Sequence, residues 1–354
     1  MLNKKFSPEP QSTFEARFEA QKIAFGPVVF QCVRYAWKRG MLQALSESGD
    51  TGLDLPALQA QGGWSEYALK VVLESCLSAG VVCLQEGRYV LDKTGYILLS
   101  DVMTQINIDF VNDVCYRGLA DLDRSLDEQK PLGLGALGDW PTIYQGLSEL
   151  SEPTKSSWFA FDHFYSDTSF PDILPDVLAT QPRNVMDIGA NTGKFSRAAL
   201  DAHAHIKLHL VDLPQQLAMA ERTLIEAGTR ERASLHPLDL LQFEQPLPAD
   251  MDLIWMSQFL SCFSEAAIAS IFKRVAAALS ERGQVLVLDT FWDRQRYAIA
   301  SYCTSPYFTA MASGNSKVYE SADYIRLAET ANLKLVSVRD GIGYCHSLLR
   351  FAKA

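Results

Sequence analysis

The first hundred residues combine apolar positions at helical spacing with two short extended runs. The main predicted elements are helices over 29–47 and 66–79 and strands over 81–85 and 88–91. Glu86-Gly87, between the two strands, is a residue pair typical of a tight hairpin turn. Helices followed by such a hairpin predict a winged-helix domain over residues 1–100.

Residues 101–180 are predicted to form a mostly helical connection. Helices are expected over 106–126 and 140–150, and a stretch dense in aromatic residues follows at 156–165. The glycines of 133–138 have the spacing of a dinucleotide-binding motif. That motif requires a strand before it and a helix after it, and neither is predicted there, so the segment is interpreted as a loop.

From residue 183 onward, short apolar runs alternate with amphipathic helices. The predicted strands cover 184–188, 207–213, 233–238, 252–256 and 284–289, and the predicted helices cover 194–204, 215–228, 265–282 and 323–331. This alternation predicts an α/β fold over residues 181–354, with a Rossmann-like parallel sheet covered by helices on both faces. The last two runs, 334–339 and 346–351, are close in sequence and are expected to form an antiparallel edge.

Composition and charge exclude several classes of protein. The 354 residues are 48% hydrophobic and 21% charged, which is ordinary for a globular chain and unlike a disordered one. A net charge of −10 argues against a nucleic-acid partner, which needs concentrated Lys and Arg. No apolar run is long enough for a membrane span, and the polar N-terminus does not resemble a signal peptide. The seven scattered cysteines indicate reduced thiols in the cytoplasm.

The loop after the first strand of the α/β region carries the strongest chemical signal. Asp187 is followed by Gly189, which would let the backbone turn and a ligand approach closely. Asn191 tolerates a positive φ, and Gly193 would let the next helix pack closely. An acid in this loop suits a cationic ligand better than a phosphate, which needs a free helix N-terminus.

Two further acids stand at the ends of the next strands. Asp212 follows the second strand, where a carboxylate can accept both ribose hydroxyls of a nucleoside. Asp239 follows the third strand, where an acid can lie beside an adenine amine. Parallel strands end at one edge of a sheet, so these acids and Asp187 are expected to line one site. A nucleoside with a positive charge and no phosphate, such as S-adenosylmethionine, fits them, and no metal is expected.

Three segments resemble the signature of class I S-adenosylmethionine-dependent methyltransferases. They are Asp-Ile-Gly-Ala-Asn-Thr-Gly at 187–193, Val-Asp-Leu-Pro at 211–214 and Leu-Asp-Leu-Leu at 238–241. More narrowly, most of the chain is similar to small-molecule O-methyltransferases of the plant caffeate and bacterial polyketide type. The resemblance implies a homodimer formed through the N-terminal domain, and S-adenosylmethionine as cofactor with S-adenosylhomocysteine as product. It also implies cofactor contacts from four more residues: Leu213, Leu240, Ser257 and Gln258.

The stretch after the fourth strand departs from that family. Its members usually read Leu-His-Asp-Trp there, with the His as general base. This chain has Ser261 at the His position and Phe263 at the Trp position. Asp289 matches the family's supporting acid, whereas the second acid of the family would fall near Val318, where this chain has none. The usual base arrangement is therefore absent.

Two replacements for the missing base are open. A Ser hydroxyl is no base near neutral pH, but Ser261, Gln258 and Ser257 can orient a phenol that ionises with hydrogen-bond help. Alternatively, His163 in the aromatic segment supplies the base, because that segment lines the substrate pocket in the family. We therefore predict Ser261, His163 and Asp289 as the catalytic residues.

Aromatic side chains are expected to form the acceptor pocket, because flat apolar walls suit a flat acceptor. The predicted wall residues are Trp158, Phe161, Phe164, Phe259, Phe263 and Trp292. Arg294 and Arg296 either bind a carboxylate of the acceptor or belong to a solvated face.

The sequence predicts O-methylation of a hydroxylated aromatic or polyketide-like small molecule. Ring C-methylation stays open, since it too starts from a phenolate. The missing His also leaves open a homologue that binds the cofactor without methyl transfer, including one recruited to hydroxylation or decarboxylation. A winged-helix DNA-binding regulator is a remote alternative, because the helix over 66–79 sets Lys70 against Glu66 and Glu74.

Overall fold

The computed structural model describes residues 11–242, 245–294 and 304–354. The chain divides into two compact units, with the boundary between Asp109 and Phe110. The three-part division expected from the sequence, at residues 100 and 180, stays a prediction. No helix in the described ranges is long and apolar enough to cross a membrane.

The N-terminal unit consists of helices and one β-hairpin. Its helices in the described range are α1 (Thr13–Ala24), α2 (Gly26–Lys38), α3 (Met41–Ser48), α4 (Leu55–Gly62), α5 (Glu66–Ser78), α6 (Lys93–Ser100) and α7 (Val102–Phe110). Strands β1 (Val82–Gln85) and β2 (Arg88–Leu91) pair antiparallel around the predicted turn. Leu53 forms a bridge to Tyr89 and adds a third extended piece to the hairpin, as in a winged helix.

The helices of this unit close around a small apolar core, but α1 stays outside it. Fully buried side chains come from α3, α4 and α5, and they include Met41, Leu42, Leu45, Leu58 and Leu69. In contrast, α1 buries none of its side chains, and Phe14 and Ile23 are largely exposed. The helix predicted over 29–47 is two helices, because a left-handed backbone at Gly40 separates α2 from α3.

The second unit is built on a seven-stranded sheet. Its strands are β3 (Asn184–Ile188), β4 (Lys207–Asp212), β5 (Ala233–Pro237), β6 (Met251–Ser257), β7 (Leu279–Asp289), β8 (Leu333–Ile342) and β9 (His346–Lys353). Their order is β5-β4-β3-β6-β7-β9-β8. The first five in this order are parallel, whereas β9 runs antiparallel to β7 and to β8. The predicted parallel sheet and its antiparallel edge are confirmed.

Helices cover both faces of this sheet. The helices of the second unit are α8 (Leu122–Glu128), α9 (Ile143–Gly146), α10 (Thr154–Asp167), α11 (Phe170–Leu178), α12 (Lys194–Ala202), α13 (Pro214–Glu226), α14 (Glu265–Ala278), α15 (Ser305–Tyr307) and α16 (Ser321–Glu329). One apolar cluster joins α14 and α16 to the sheet, and another joins α11, α12 and α13 to it. Burial on both faces explains why the strands are continuous apolar runs.

Two helices predicted for the connection differ in the structure: one is interrupted, and the other is much shorter than predicted. The segment predicted as one helix over 106–126 contains the end of α7, a π-helical turn at Val111–Cys115, a 3-10 turn at Gly118–Asp121 and the start of α8. The helix predicted over 140–150 is only the single turn α9. Their apolar side chains pack into an irregular cluster instead of along one helix face. The glycines of 133–138 lie at a 3-10 turn and not before a helix, in line with their interpretation as a loop.

Candidate functional site

The carboxyl ends of β3, β4, β5, β6 and β7 open into a cavity of about 350 Å³. Helices α9 and α10 and the segment 304–318 also contribute to its lining. All predicted cofactor residues except Gly193 line this cavity, as do Ser261, His163 and Asp289. Four of the six predicted aromatic wall residues also line it: Trp158, Phe161, Phe259 and Phe263.

The loop after β3 is held in left-handed conformations at three positions. Gly189 has φ +79°, Asn191 has φ +48° and Gly193 has φ +75°. A Cβ at Gly189 would collide with the Phe259 ring, so this glycine makes room for a side chain of the cavity wall. A Cβ at Gly193 would lie 2.9 Å from the Cα and Cβ of Ala220, so Gly193 allows α13 to pack against the loop and does not reach the cavity.

Asp187 is the most deeply buried acid of the cavity, with 2% of its surface exposed. The Ser196 hydroxyl donates to its Oδ2 at 2.6 Å. Burial raises the pKa of Asp187 to about 7 against the effect of that hydrogen bond, and the negative charge of Asp212 raises it further. A carboxylate with so few donors is expected to gain strongly from a cation.

Asp212 is held by the backbone at the end of β4. The Asn191 N–H donates to its Oδ2 at 2.8 Å, and the Leu213 N–H donates to its Oδ1 at 2.7 Å. Burial nevertheless raises the pKa of Asp212 to about 6. The two backbone donors fix the plane of the carboxylate, so that its remaining lone pairs have a defined direction.

Asp239 holds the turn after β5. The Leu241 N–H donates to its Oδ1 at 2.9 Å, and Leu240 beside it is buried against the core of the sheet. Asp239 and Leu240 thus place one carboxylate and one apolar side chain next to each other in the cavity lining.

Several cavity-lining residues carry a buried polar atom that has no hydrogen-bond partner in the described part of the chain. These atoms include Asn191 Oδ1, Gln216 Oε1, Ser257 Oγ and Gln258 Nε2. Buried polar groups in native proteins are normally hydrogen-bonded. Unpaired acceptors and donors around one cavity therefore fit a polar ligand that supplies the missing partners.

The predicted catalytic residue Ser261 lies beside Asp289. The backbone and hydroxyl of Ser261 are near enough to the Asp289 carboxylate to lower its pKa. Tyr324 Oη donates to Asp289 Oδ2 at 2.9 Å, and the Thr290 N–H donates to Oδ1 at 2.8 Å. Burial raises the pKa of Asp289 to about 6, although these hydrogen bonds oppose the rise. Ser261 therefore lies beside a buried acid that already accepts from Tyr324 and Thr290, and its own hydroxyl is no base near neutral pH.

The other predicted catalytic residue, His163, lies where the cavity adjoins a surface groove. Its Nδ1 lies 3.5 Å from Asp167 Oδ1 and 3.9 Å from Asp162 Oδ2. Lys194 Nζ forms an ion pair with Asp167 Oδ2 at 2.6 Å. His163 therefore belongs to a cluster of two acids and one lysine, and not to the aromatic wall.

Aromatic rings form the other half of the cavity. The Trp158 indole N–H donates to Tyr307 Oη at 2.8 Å, and the Phe161 ring stacks on Phe110 with centroids 3.9 Å apart. The Tyr144 hydroxyl faces the Cys262 thiol, and burial raises the pKa of both groups. The Tyr144 phenol and the Cys262 thiol thus stay protonated and are potential hydrogen-bond donors.

Comparison with known proteins identifies the family. Residues 17–89 match the model of the Dimerisation2-like domain, and residues 172–334 match that of the O-methyltransferase domain. The chain thus carries an O-methyltransferase domain behind a Dimerisation2-like domain. It is therefore a methyltransferase of class I, which confirms the resemblance read from the strand-end motifs.

The relatives of this methyltransferase are distant but cover most of it. It is 22% identical over 307 residues to the L-tyrosine C(3)-methyltransferase of Streptomyces lavendulae, which covers 85% of this chain and 82% of that protein. It is 23% identical over 277 residues to the 3-hydroxy-5-methyl-1-naphthoate 3-O-methyltransferase of Streptomyces sahachiroi. The match covers 77% of this chain and 76% of that protein. The solved structure of the mitomycin 7-O-methyltransferase MmcR superposes with a TM-score of 0.72 over 96% of this chain and 98% of that one, at 18% identity. This likeness shows the fold, a Rossmann-like sheet after a mostly helical N-terminal domain.

Two predicted wall residues of the methyltransferase lie elsewhere. Phe164 stacks on Tyr344 with ring centroids 4.9 Å apart and does not line the cavity. Trp292 is 38% exposed and does not line the cavity. Arg294 is engaged by Ser321 and Asp340, so it belongs to a surface network. Arg296 lies outside the described residues.

Sequence reasoning missed three residues of the site. Tyr144 and Tyr307 come from irregular or very short helices, which no periodic pattern marks. Asp162 lies between Phe161 and His163 on α10 and accepts a hydrogen bond from Asn191 Nδ2 at 2.8 Å. The available signal was the density of aromatic residues around this acid, because so many aromatic side chains are unusual on a helix that faces solvent.

Proposed function

We propose that this methyltransferase transfers the methyl group of S-adenosylmethionine to a hydroxyl of an aromatic small molecule. One observation carries this proposal: a single cavity joins a carboxylate-lined half at the strand ends to an aromatic half under α10. The first half suits a cationic nucleoside, and the second suits a flat acceptor.

The residues of the carboxylate-lined half fit this cofactor in charge and in hydrogen bonding. Asp212 would accept the ribose hydroxyls, Leu213 and Leu240 would pack on the adenine, and Asp239 would accept from its amine. Asp187 would face the cationic amino acid part. The unpaired atoms of Asn191, Ser257 and Gln258 supply further partners. When bound, S-adenosylmethionine provides an electrophilic methyl group on a positively charged sulfur.

The aromatic half would hold the acceptor in line with that methyl group. Trp158 and Phe161 offer flat faces, and Phe259 and Phe263 extend the wall toward the strand ends. Holding two reactants in line can lower the barrier by about 7–11 kcal/mol, so positioning alone accounts for much of the rate. Ser261, beside Asp289, would help to align the acceptor, and His163 stays a predicted base.

Ring C-methylation is the second candidate. The relative from Streptomyces lavendulae that matches 85% of this chain is named for methylation at a ring carbon of L-tyrosine. The relative from Streptomyces sahachiroi is named for O-methylation of a naphthoate. Both reactions start from a phenol, so the proposed acceptor class is the same.

The N-terminal unit supports a homodimer. Its family model is a dimerisation domain, and α1 carries apolar side chains that this unit itself does not bury. Burial of Phe14 and Ile23 against a second copy would remove this apolar surface from water.

The test is methyl transfer from labelled S-adenosylmethionine to a phenol panel of 4-nitrophenol, 2-naphthol, 2,3-dihydroxynaphthalene and L-tyrosine. NMR of the product separates O-methyl from ring C-methyl groups. We expect at least one labelled product. If the chain binds the cofactor but methylates none of these phenols, the proposed acceptor class is wrong.

Calorimetry of Asp212→Ala tests the cofactor half directly. The variant loses the carboxylate that accepts both ribose hydroxyls, so we expect binding of S-adenosylhomocysteine to weaken by roughly 30-fold or more. Asp201→Ala removes an exposed carboxylate paired with Arg197 and serves as the control, with wild-type affinity expected. If both variants bind S-adenosylhomocysteine equally well, the nucleoside does not bind at Asp212.

A further inference from the structure

The proposed reaction requires a proton acceptor, and no residue has yet been assigned to that role. Methylation of a neutral hydroxyl releases one proton for each methyl group transferred, and a group in the cavity must accept it. The Ser261 hydroxyl is no base near neutral pH. The Asp289 carboxylate is 3% exposed and accepts hydrogen bonds from Thr290 and Tyr324, so it offers little to a ligand.

Asp162 is the carboxylate that lies between the two halves of the cavity. Its side chain exposes 27% of its surface and lines the cavity. Its Oδ2 accepts from Asn191 Nδ2 at 2.8 Å, and the Asn191 N–H donates to Asp212 Oδ2 at 2.8 Å. One asparagine therefore links Asp162 to the carboxylate proposed to bind the ribose, which fixes Asp162 relative to the cofactor.

Asp162 also borders the aromatic half of the cavity, where the acceptor is proposed to bind. Its negative charge raises the pKa of Tyr144 and of Tyr307, beyond the larger effect of burial, and acts in the same way on Cys262. All four residues line the same cavity, so the Asp162 carboxylate and these protonated groups border one space. A phenol held among these donors would have its own hydroxyl beside the Asp162 carboxylate.

The charges around Asp162 come from several elements. Burial raises its pKa, the neighbouring His163 on α10 and Lys194 on α12 lower it, and Asp167 raises it. Asp212 at the end of β4 is also close enough to interact with it. The balance is a carboxylate that is a better proton acceptor than one in water, as a general base near neutral pH requires.

We propose that Asp162 is the general base that takes the place of the missing histidine, an inference that rests on the proposed methyl transfer. The O–H bond of the acceptor breaks, and its proton moves to a carboxylate oxygen of Asp162. The electron pair left on the acceptor oxygen forms the new bond to the methyl carbon, while the pair of the broken carbon–sulfur bond stays on the sulfur. The proton leaves Asp162 for solvent after the methylated product departs.

Asp162→Asn tests this assignment, because it keeps the shape of the side chain and removes its basicity. The assay uses whichever of 2-naphthol, 2,3-dihydroxynaphthalene and L-tyrosine the wild-type chain methylates fastest. We expect kcat to fall by about 100-fold or more, the usual contribution of a positioned base. The rise of kcat with pH on the acid side should disappear. Asp201→Asn, on an exposed carboxylate, is the matched control and should keep wild-type rates.

A more acidic phenol separates a base from a structural residue. A nitro-substituted analogue of the same acceptor ionises in water near neutral pH and needs no base. We expect Asp162→Asn to methylate it within about tenfold of the wild-type rate. A similar loss with both phenols would mean that Asp162 only shapes the site and would overturn the proposal.

Two further measurements exclude the remaining roles. If Asp162 instead binds the cofactor, Asp162→Asn will weaken S-adenosylhomocysteine binding in calorimetry, whereas a base leaves that affinity unchanged. If His163 is the base, the pH dependence of kcat will vanish in His163→Gln and persist in Asp162→Asn. Either result would refute the assignment. A wild-type chain that methylates no phenol would refute the proposed function itself.

Discussion

The buried acids of the cavity differ in the donors that satisfy them. Asp187 has one hydroxyl donor, Asp212 has two backbone donors, and Asp289 has one phenol and one backbone donor, with Ser261 nearby. Burial raises the pKa of all three. Asp289 is therefore well satisfied within the fold, whereas Asp187, with a single donor, retains the largest need for a positive partner.

Tyr324→Phe tests the structural role of Asp289. The variant removes the 2.9 Å hydrogen bond from a fully buried hydroxyl and leaves a buried carboxyl with one donor fewer. We expect the free energy of unfolding in urea to fall by about 1–3 kcal/mol. Tyr344→Phe, on a ring that is 37% exposed, should change it by less than about 0.5 kcal/mol. A loss in Tyr344→Phe as large as that in Tyr324→Phe would contradict this account.

At the residue scale, sequence reasoning found the acids that follow strands and missed the acid on a helix. Asp187, Asp212 and Asp239 each follow an apolar run, and that position alone predicts a common sheet edge. Asp162 lies on α10, where a single acid normally indicates a solvated face. Only the packing of α10 over the strand ends turns its side chain toward the cavity, and sequence periodicity does not encode that packing.

Among the elements, the sheet was predictable and the connection was not. Strands buried on both faces are continuous apolar runs, and the intervening helices show one apolar face, so each element carries its own signal. Between Phe110 and α10 the apolar residues instead fill an irregular cluster built from short turns. Helical periodicity predicts helices there that are longer than those observed, because tertiary packing and not periodicity places these side chains.

Gly193→Ala tests how the loop after β3 is joined to α13. The new Cβ would lie 2.9 Å from two atoms of Ala220, at a residue whose φ of +75° already disfavours a side chain. We expect a loss of about 2–4 kcal/mol in the free energy of unfolding, from strain and overpacking together.

Gly228→Ala is the control that isolates the backbone strain. Gly228 has φ +68°, but nothing lies within 4 Å of a Cβ built there. Gly228→Ala should therefore lower the free energy of unfolding by about 1 kcal/mol. If both glycine variants lose the same amount, the close approach to Ala220 does not constrain the loop, and our account of Gly193 is wrong.

For the whole molecule, the strand-end site is strongly negative before a ligand binds. Asp162, Asp187, Asp212, Asp239 and Asp289 all line one cavity. Because three of these acids have a pKa of about 6 or 7, part of the charge is held as bound protons near neutral pH. A sulfonium ligand would displace those protons, so ligand binding and proton release are expected to be coupled.

This coupling predicts how Asp187→Asn changes stability with pH. The folded pKa of Asp187, about 7, lies above its ordinary value of 3.8. A raised folded pKa means that the folded state binds the extra proton, so the contribution of Asp187 to stability declines as pH rises from about 4 to 7. The Asn variant has no such decline. Its advantage over the wild type in free energy of unfolding should therefore grow by about 3 kcal/mol between pH 4.5 and pH 8.

Comparing variant with wild type at each pH removes the other titrations from this measurement. His346, whose pKa is lowered to about 4 by burial, destabilises the fold toward low pH in both proteins and therefore cancels in the difference. A difference that is constant from pH 4.5 to 8 would mean that Asp187 does not titrate in this range. The variant that is more stable at pH 8 should also bind the cationic cofactor less tightly, because the same uncompensated charge weakens the fold and attracts the ligand.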